Sequence, residues 1–140
     1  ANVALLTALA NDAGYENTFV NQMEGLFRPG DVLVAISASG NSENVLRAIR
    51  YANELGGISI GLVGFDGGKM KALCHECVHV ETDVGEYCPV EDVHLAGCHT
   101  VTTYLKKMAA DGARRRPATT RSGRPRRVGA TRHRARAASS

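Results

Sequence analysis

Apolar residues fall along this chain in two alternating patterns, short unbroken runs and rows spaced three or four apart. Val32 to Ile36 and Ile58 to Val63 are continuous apolar runs of the kind shown by strands covered on both faces, and Cys77 to Val80 reads as a further strand. Val3 to Ala8 is a shorter apolar run that also predicts a strand, closed by the turn-like Asn11 to Gly14. Between the runs, Phe19, Met23, Leu26 and Phe27 recur at helical spacing and stop at Pro29 and Gly30. Val45, Leu46, Ala48 and Ile49 do the same and end at Gly56 and Gly57. A turn at Asp66 to Gly68 leads into a short helix, Lys69 to Leu73, and a last helix is predicted over Asp92 to Met108. Strands alternating with helices imply an α/β fold with a parallel sheet covered on both faces and right-handed crossovers. Ligands of such sheets sit at the carboxyl ends of the strands.

Charge divides the chain in two. The 140 residues carry a formal net charge of +3. Residues 1–110 hold seven Lys/Arg against thirteen Asp/Glu, whereas 111–140 hold ten Arg against one Asp. The terminal segment mixes Arg with Pro, Gly, Ser and Thr and has too little apolar surface to offset its chain entropy, so it predicts a disordered tail after a domain at 1–110. Clustered Arg could neutralise nucleic-acid phosphates, but no aromatic residue interleaves the tail to stack bases, which argues against a nucleic-acid partner. Arg-, Ala- and Pro-rich sequence is also what GC-rich DNA gives when read out of frame.

No stretch is long and apolar enough to span a bilayer, and the opening ANVALLTALAND lacks a basic leader, so no membrane association and a cytoplasmic location are expected. Cys74, Cys77, Cys88 and Cys98 form no dense disulfide framework. Cys74 and Cys77 have His75 and His79 beside them, but a second Cys pair at matching spacing is missing, which disfavours structural zinc.

The richest chemistry lies between Asp31 and Gly56. Directly after the apolar run, Ser37, Ser39, Asn41 and Ser42 set three hydroxyls and an amide around Gly40, just before a helical period begins. Helix-start amides are unpaired and carry the positive end of the dipole, so this junction predicts an anion site. One Ser as helix cap would be the plainer reading, but four small polar residues within six positions exceed what a cap needs. Neither the Walker spacing nor the dinucleotide glycine pattern is present, which favours phosphate without a nucleotide. Asn11 and Asp12, expected just beyond the first strand, would lie at the same edge of the sheet.

A second group, Glu91, His94 and His99, falls on the last helix. Eight residues separate Glu91 from His99, about 12 Å along a helix axis, which is long for two ligands of one metal unless Glu91 sits at or before the helix start. On spacing alone Glu91 reads as a carboxylate near a helix N-terminus.

Taken together, ANDAGYENTF, GDVLVAISASGNSENVLRAI, DGGKM and EDVHLAGCH resemble the SIS (sugar isomerase) domain and, within it, the phosphoheptose isomerase group, over about Asn2 to Lys107. The resemblance implies a flavodoxin-like three-layer α/β/α fold without its first βα unit, since the family's earlier strand, Gly-rich loop and helix have no counterpart here. It implies an enzyme that interconverts sedoheptulose 7-phosphate and glycero-manno-heptose 7-phosphate. Ser37, Ala38, Ser39 and Ser42 would bind the sugar phosphate, and Asn11 and Asp12 would contact substrate. Glu91 stands where the family carries a Gln touching metal and substrate, and His99 where it carries a metal-binding, catalytic His, so zinc is the implied cofactor. Cys88, Pro89 and Glu91 depart from the family's usual sequence. A homotetramer is the implied assembly, and a non-catalytic phosphosugar-binding SIS domain is the alternative reading.

Overall fold

A computed structural model describes residues 2–115. The helices are α1 (Val3–Ala13), α2 (Thr18–Met23), α3 (Glu43–Glu54), α4 (Gly68–Leu73) and α5 (Tyr87–Arg115); the strands are β1 (Val32–Ser37), β2 (Ile58–Phe65) and β3 (Glu76–Glu81). The strands form one parallel sheet in the order β1-β2-β3, with Ser37 level with Val63 and Val63 level with His79.

Successive strand residues point to opposite faces, and the two faces of β2 meet different helices. A Cβ added at Gly61 would approach Met70 and Cys74 of the α4 segment, whereas one at Gly64 would approach Val90 of α5. With α3 packed on β1 and β2, the sheet lies between α3/α4 and α5 in three layers, but α5 packs on β2 and β3, so β1, expected to be covered on both faces, leaves Val32, Val34 and Ile36 half exposed. The core lies on the α3/α4 side, where Ala35, Leu46, Ile49, Val63 and Met70 form one buried cluster. Leu46 and Ile49 of α3 are two of its five members, on the stripe that the spacing of the apolar positions predicts.

Three further expectations are corrected. Val3 to Ala8 is the first part of a helix: Ala and Leu dominate the run, and the Asn2 side chain accepts the Leu5 N–H at 3.1 Å as an N-cap. Consequently Asn11 and Asp12 stand in the last turn of α1, not beyond a strand. The helix through Phe19 and Met23 stops at Met23, leaving Leu26 exposed while Phe27 lies over Gly57, whose missing side chain makes room for the ring. Finally, α5 starts at Tyr87, five residues before Asp92, because Pro89 falls in its first turn, where a missing N–H is harmless. That helix is described as far as Arg115. The remainder of the Arg-rich tail lies outside the described residues. No helix among them is long and apolar enough to cross a membrane.

Candidate functional site: a hydroxyl cradle at a helix start

The carboxyl end of β1 delivers Ser37, buried at 8% exposure, directly beneath the start of α3. Its Oγ lies 3.0 Å from Ser42 Oγ and 3.5 Å from Ser39 Oγ, so the three hydroxyls converge. Ser42 occupies the N-cap position of α3, but its side chain makes no capping bond because it turns to Ser37 instead. Among the described residues, the Glu43 and Asn44 amides of the first helical turn find no acceptor outside the helix. Hydroxyl donors and free amides at a positive helix end form a cradle for a small anion.

The backbone of the loop is tightly determined. The Gly40 N–H donates to the Ser37 carbonyl at 3.0 Å, and the Gly64 N–H donates to the Ala38 carbonyl at 2.8 Å, pinning the loop to β2. Ala38 can therefore meet a ligand through its N–H or methyl, not through its carbonyl.

The two arginines of α3 are engaged by other groups. Arg47 donates to Asn17 Oδ1 at 2.6 Å and to Glu43 at 3.5 Å, and Arg50 donates to Glu43 at 3.1 Å. The Arg50 guanidinium bonded to Glu43, with Arg47 beside it, holds that carboxyl below the ordinary glutamate range against a small opposing effect of desolvation. An anion bound here would be held by hydroxyls and amides, not by a guanidinium fork.

Next to Ser42 an open pocket of about 590 Å³ is lined by Tyr15, Glu16, Phe19, Glu43 and Asn44. Tyr15 and Glu16 were not singled out from the sequence beyond their place in GYENTF; an aromatic and a carboxylate following Gly14 are the signal that could have marked them. They come from the 3-10 turn Tyr15–Asn17, which packs on α3.

The remaining predicted residues are not brought to the cradle by any hydrogen bond among the described residues. Asn11 and Asp12 are exposed and bonded to each other, Asn11 Nδ2 donating to Asp12 Oδ1 at 2.9 Å. Glu91 lies in the second turn of α5, so the helix between it and His99 is unbroken and their separation stays near 12 Å along the axis. Both are exposed, and no group of three His, Cys, Asp or Glu among the described residues is arranged to hold a metal. Two donors alone do not fit a zinc site, which takes at least three protein ligands. The histidines beside Cys74 and Cys77 are bonded to other groups: His75 Nδ1 faces Ser59, and His79 bridges Phe65 and Lys71.

The SIS domain model matches residues 1–64, which include α1, β1, the cradle and α3. Over those residues the chain is similar to the SIS domain family. It is 38% identical over 106 residues to the phosphoheptose isomerase of Akkermansia muciniphila, covering 76% of this chain and 55% of that protein. With the phosphoheptose isomerase of Rhodospirillum rubrum it shares 45% identity over 98 residues, 70% of this chain and 51% of that one. Among solved structures, phosphoheptose isomerase GmhA from Neisseria gonorrhoeae superposes with a TM-score of 0.70 at 34% identity, covering 76% of this chain and 59% of the other. The chain thus spans about half the length of the curated relatives it matches.

Proposed function

We propose that this chain is part of a phosphoheptose isomerase acting on sedoheptulose 7-phosphate, with the Ser37–Ser42 cradle holding the phosphate. The convergence of Ser37, Ser39 and Ser42 beneath the unpaired start of α3 carries this reading, together with the names of the relatives. Aldose–ketose isomerisation moves a proton between adjacent carbons through an enediol and needs an acid–base group near neutrality. The cradle fixes the end of the substrate remote from those carbons, so phosphate binding energy holds the sugar chain in register. His99 is the proposed proton carrier, and Asn11, Asp12 and Glu91 the proposed contacts to the sugar. The described residues do not fit the zinc that the resemblance implies, since Glu91 and His99 stay about 12 Å apart along one unbroken helix, so no step of the proposal runs through a metal. A homotetramer in the cytoplasm completes the proposal.

The second reading is a phosphosugar-binding SIS module without catalysis, favoured by the exposure of Glu91 and His99 and by the lack, among the described residues, of a third metal-ligating side chain beside them. Turnover of sedoheptulose 7-phosphate, measured with and without zinc alongside phosphosugar binding, separates the two. Turnover lost on His99→Ala supports the isomerase; tight binding with no turnover by the protein in its full length overturns it.

A further inference from the structure

The phosphate cradle is closed from behind by a second turn, built on Gly67 and Gly68. Gly40, at φ +61°, sits so close to the next βα junction that a Cβ on it would overlap the Gly67 carbonyl. The relation is mutual: a Cβ on Gly68, at φ +53°, would overlap the Ser39 carbonyl and come within 2.7 Å of Asn41 Nδ2. Hydrogen bonds lock the two turns together. The Met70 N–H donates to the Gly40 carbonyl at 3.0 Å, and the Lys69 N–H donates to Asn41 Oδ1 at 3.1 Å. Asn41 Nδ2 meanwhile donates to the Ser39 carbonyl at 2.9 Å. The Asn41 amide thus accepts from one turn and donates to the other, so Asn41 holds the loop. The Asp66 carboxylate keeps the second turn in shape by accepting the Gly68 N–H at 3.0 Å.

We infer that the Asp66–Lys69 turn is a positioning element for the anion cradle, with Gly68 and Asn41 setting where the Ser39 and Ser42 hydroxyls stand. Neither residue touches the anion; each acts through the Ser39–Ser42 backbone. Hydrogen-bond geometry to a phosphate is steep enough that a shift of the loop by the width of a methyl group would misalign several donors together.

This inference rests on the cradle being a phosphate site, and the test keeps the two apart. Inorganic phosphate is titrated into the protein, with affinity and the amide NMR signals of Glu43 and Asn44 as readouts, and thermal stability measured in parallel. Gly68→Ala is expected to weaken phosphate binding about tenfold or more and to shrink the phosphate-dependent shifts of those amides. Gly85→Ala is the matched control: Gly85 has φ +100° and open space around its Cα, so Ala there brings backbone strain without touching the loop. It should lose stability and keep its phosphate affinity. Asn41→Ala, which introduces no overlap, should weaken phosphate about as much as Gly68→Ala and serves if that variant does not fold. Failure of the unsubstituted protein to bind phosphate overturns the phosphosugar reading. Phosphate bound equally well by the unsubstituted protein, Gly68→Ala and Asn41→Ala overturns the positioning role alone.

Discussion

His94 Nε2 stands 3.1 Å from the Val63 carbonyl oxygen, joining α5 to the central strand at a point where the imidazole is only 4% exposed. A carbonyl can only accept, so Nε2 carries the proton and the ring is fixed in one tautomer. Of the two histidines on α5, this one is structural, and His99 is the one that solvent reaches.

Replacing His94 by Ala should therefore cost about 1–3 kcal/mol of stability, from a buried hydrogen bond and lost packing against β2. His99→Ala should change stability by no more than about 0.5 kcal/mol, as exposed positions do. Urea unfolding of the two variants checks both; equal losses would remove the distinction between them.

Much of this architecture is legible in the sequence because burial writes an unambiguous pattern. The run from Val32 to Ile36 and the stripe Leu46, Ala48, Ile49 match β1 and the buried face of α3. The reading fails where burial is missing. No residue of α1 is buried, so its apolar run carries no periodic constraint, and only the Ala and Leu content and the Asn2 cap mark it as a helix. At the site, Ser37, Ser39 and Ser42 are legible because a strand end and a helix start are local features. The interlock of Gly40 with Gly67 and Gly68 is not, because it joins residues 27 and 28 positions apart through backbone contact that leaves no pattern in side-chain type. For the same reason DGGKM reads in the sequence only as a turn and a short helix.

Ser37 is the pivot of the cradle, since its hydroxyl alone reaches both Ser39 and Ser42. Ser37→Ala should weaken phosphate binding about 10- to 100-fold, the range for a hydrogen bond to a charged group. Calorimetric titration with a phosphate monoester is the check, and an affinity unchanged within twofold would exclude a direct or organising role for that hydroxyl.

The thiols of Cys74 and Cys77 converge on the bare Cα of Gly61, where an added Cβ would come within 2.9 Å of one sulfur and 3.3 Å of the other. Burial pushes the Cys74 thiol up, and the neighbouring Cys77 adds to this against a weaker Ser59 hydrogen bond; burial also raises Cys77, with Lys71 opposing. Both are thus held protonated in the fold, while unfolded thiols ionise near pH ~8.5. Their contribution to stability is complete below that value and declines as pH rises toward the higher folded pKa values. Stability should fall as pH rises above about 8.5, less steeply in Cys74→Ala. In the same window iodoacetamide should modify the exposed Cys88 faster than Cys74 or Cys77, and equal rates would contradict the raised values.

The sheet face opposite the main core presents Val32, Val34, Ile36, Ile58 and Val78, each about half exposed, since α5 packs only on β2 and β3. Contiguous apolar surface of this kind binds hydrophobic dyes and promotes association, all the more beside β1, whose outer edge pairs with no strand among the described residues. Val34 and Ile36 are neighbours on that face, at 49% and 48% exposure, and neither belongs to the buried cluster around Leu46. Glu at both positions should lower dye fluorescence and shift sedimentation toward the monomer. The substitutions should change unfolding stability by less than about 1 kcal/mol each, because half-exposed side chains give up little on becoming charged. If dye binding and sedimentation stay as they were while the fold is retained, that face is not the sticky surface of this chain. A large loss of stability in both variants would instead mean that the face is covered in solution by something that the charges displace.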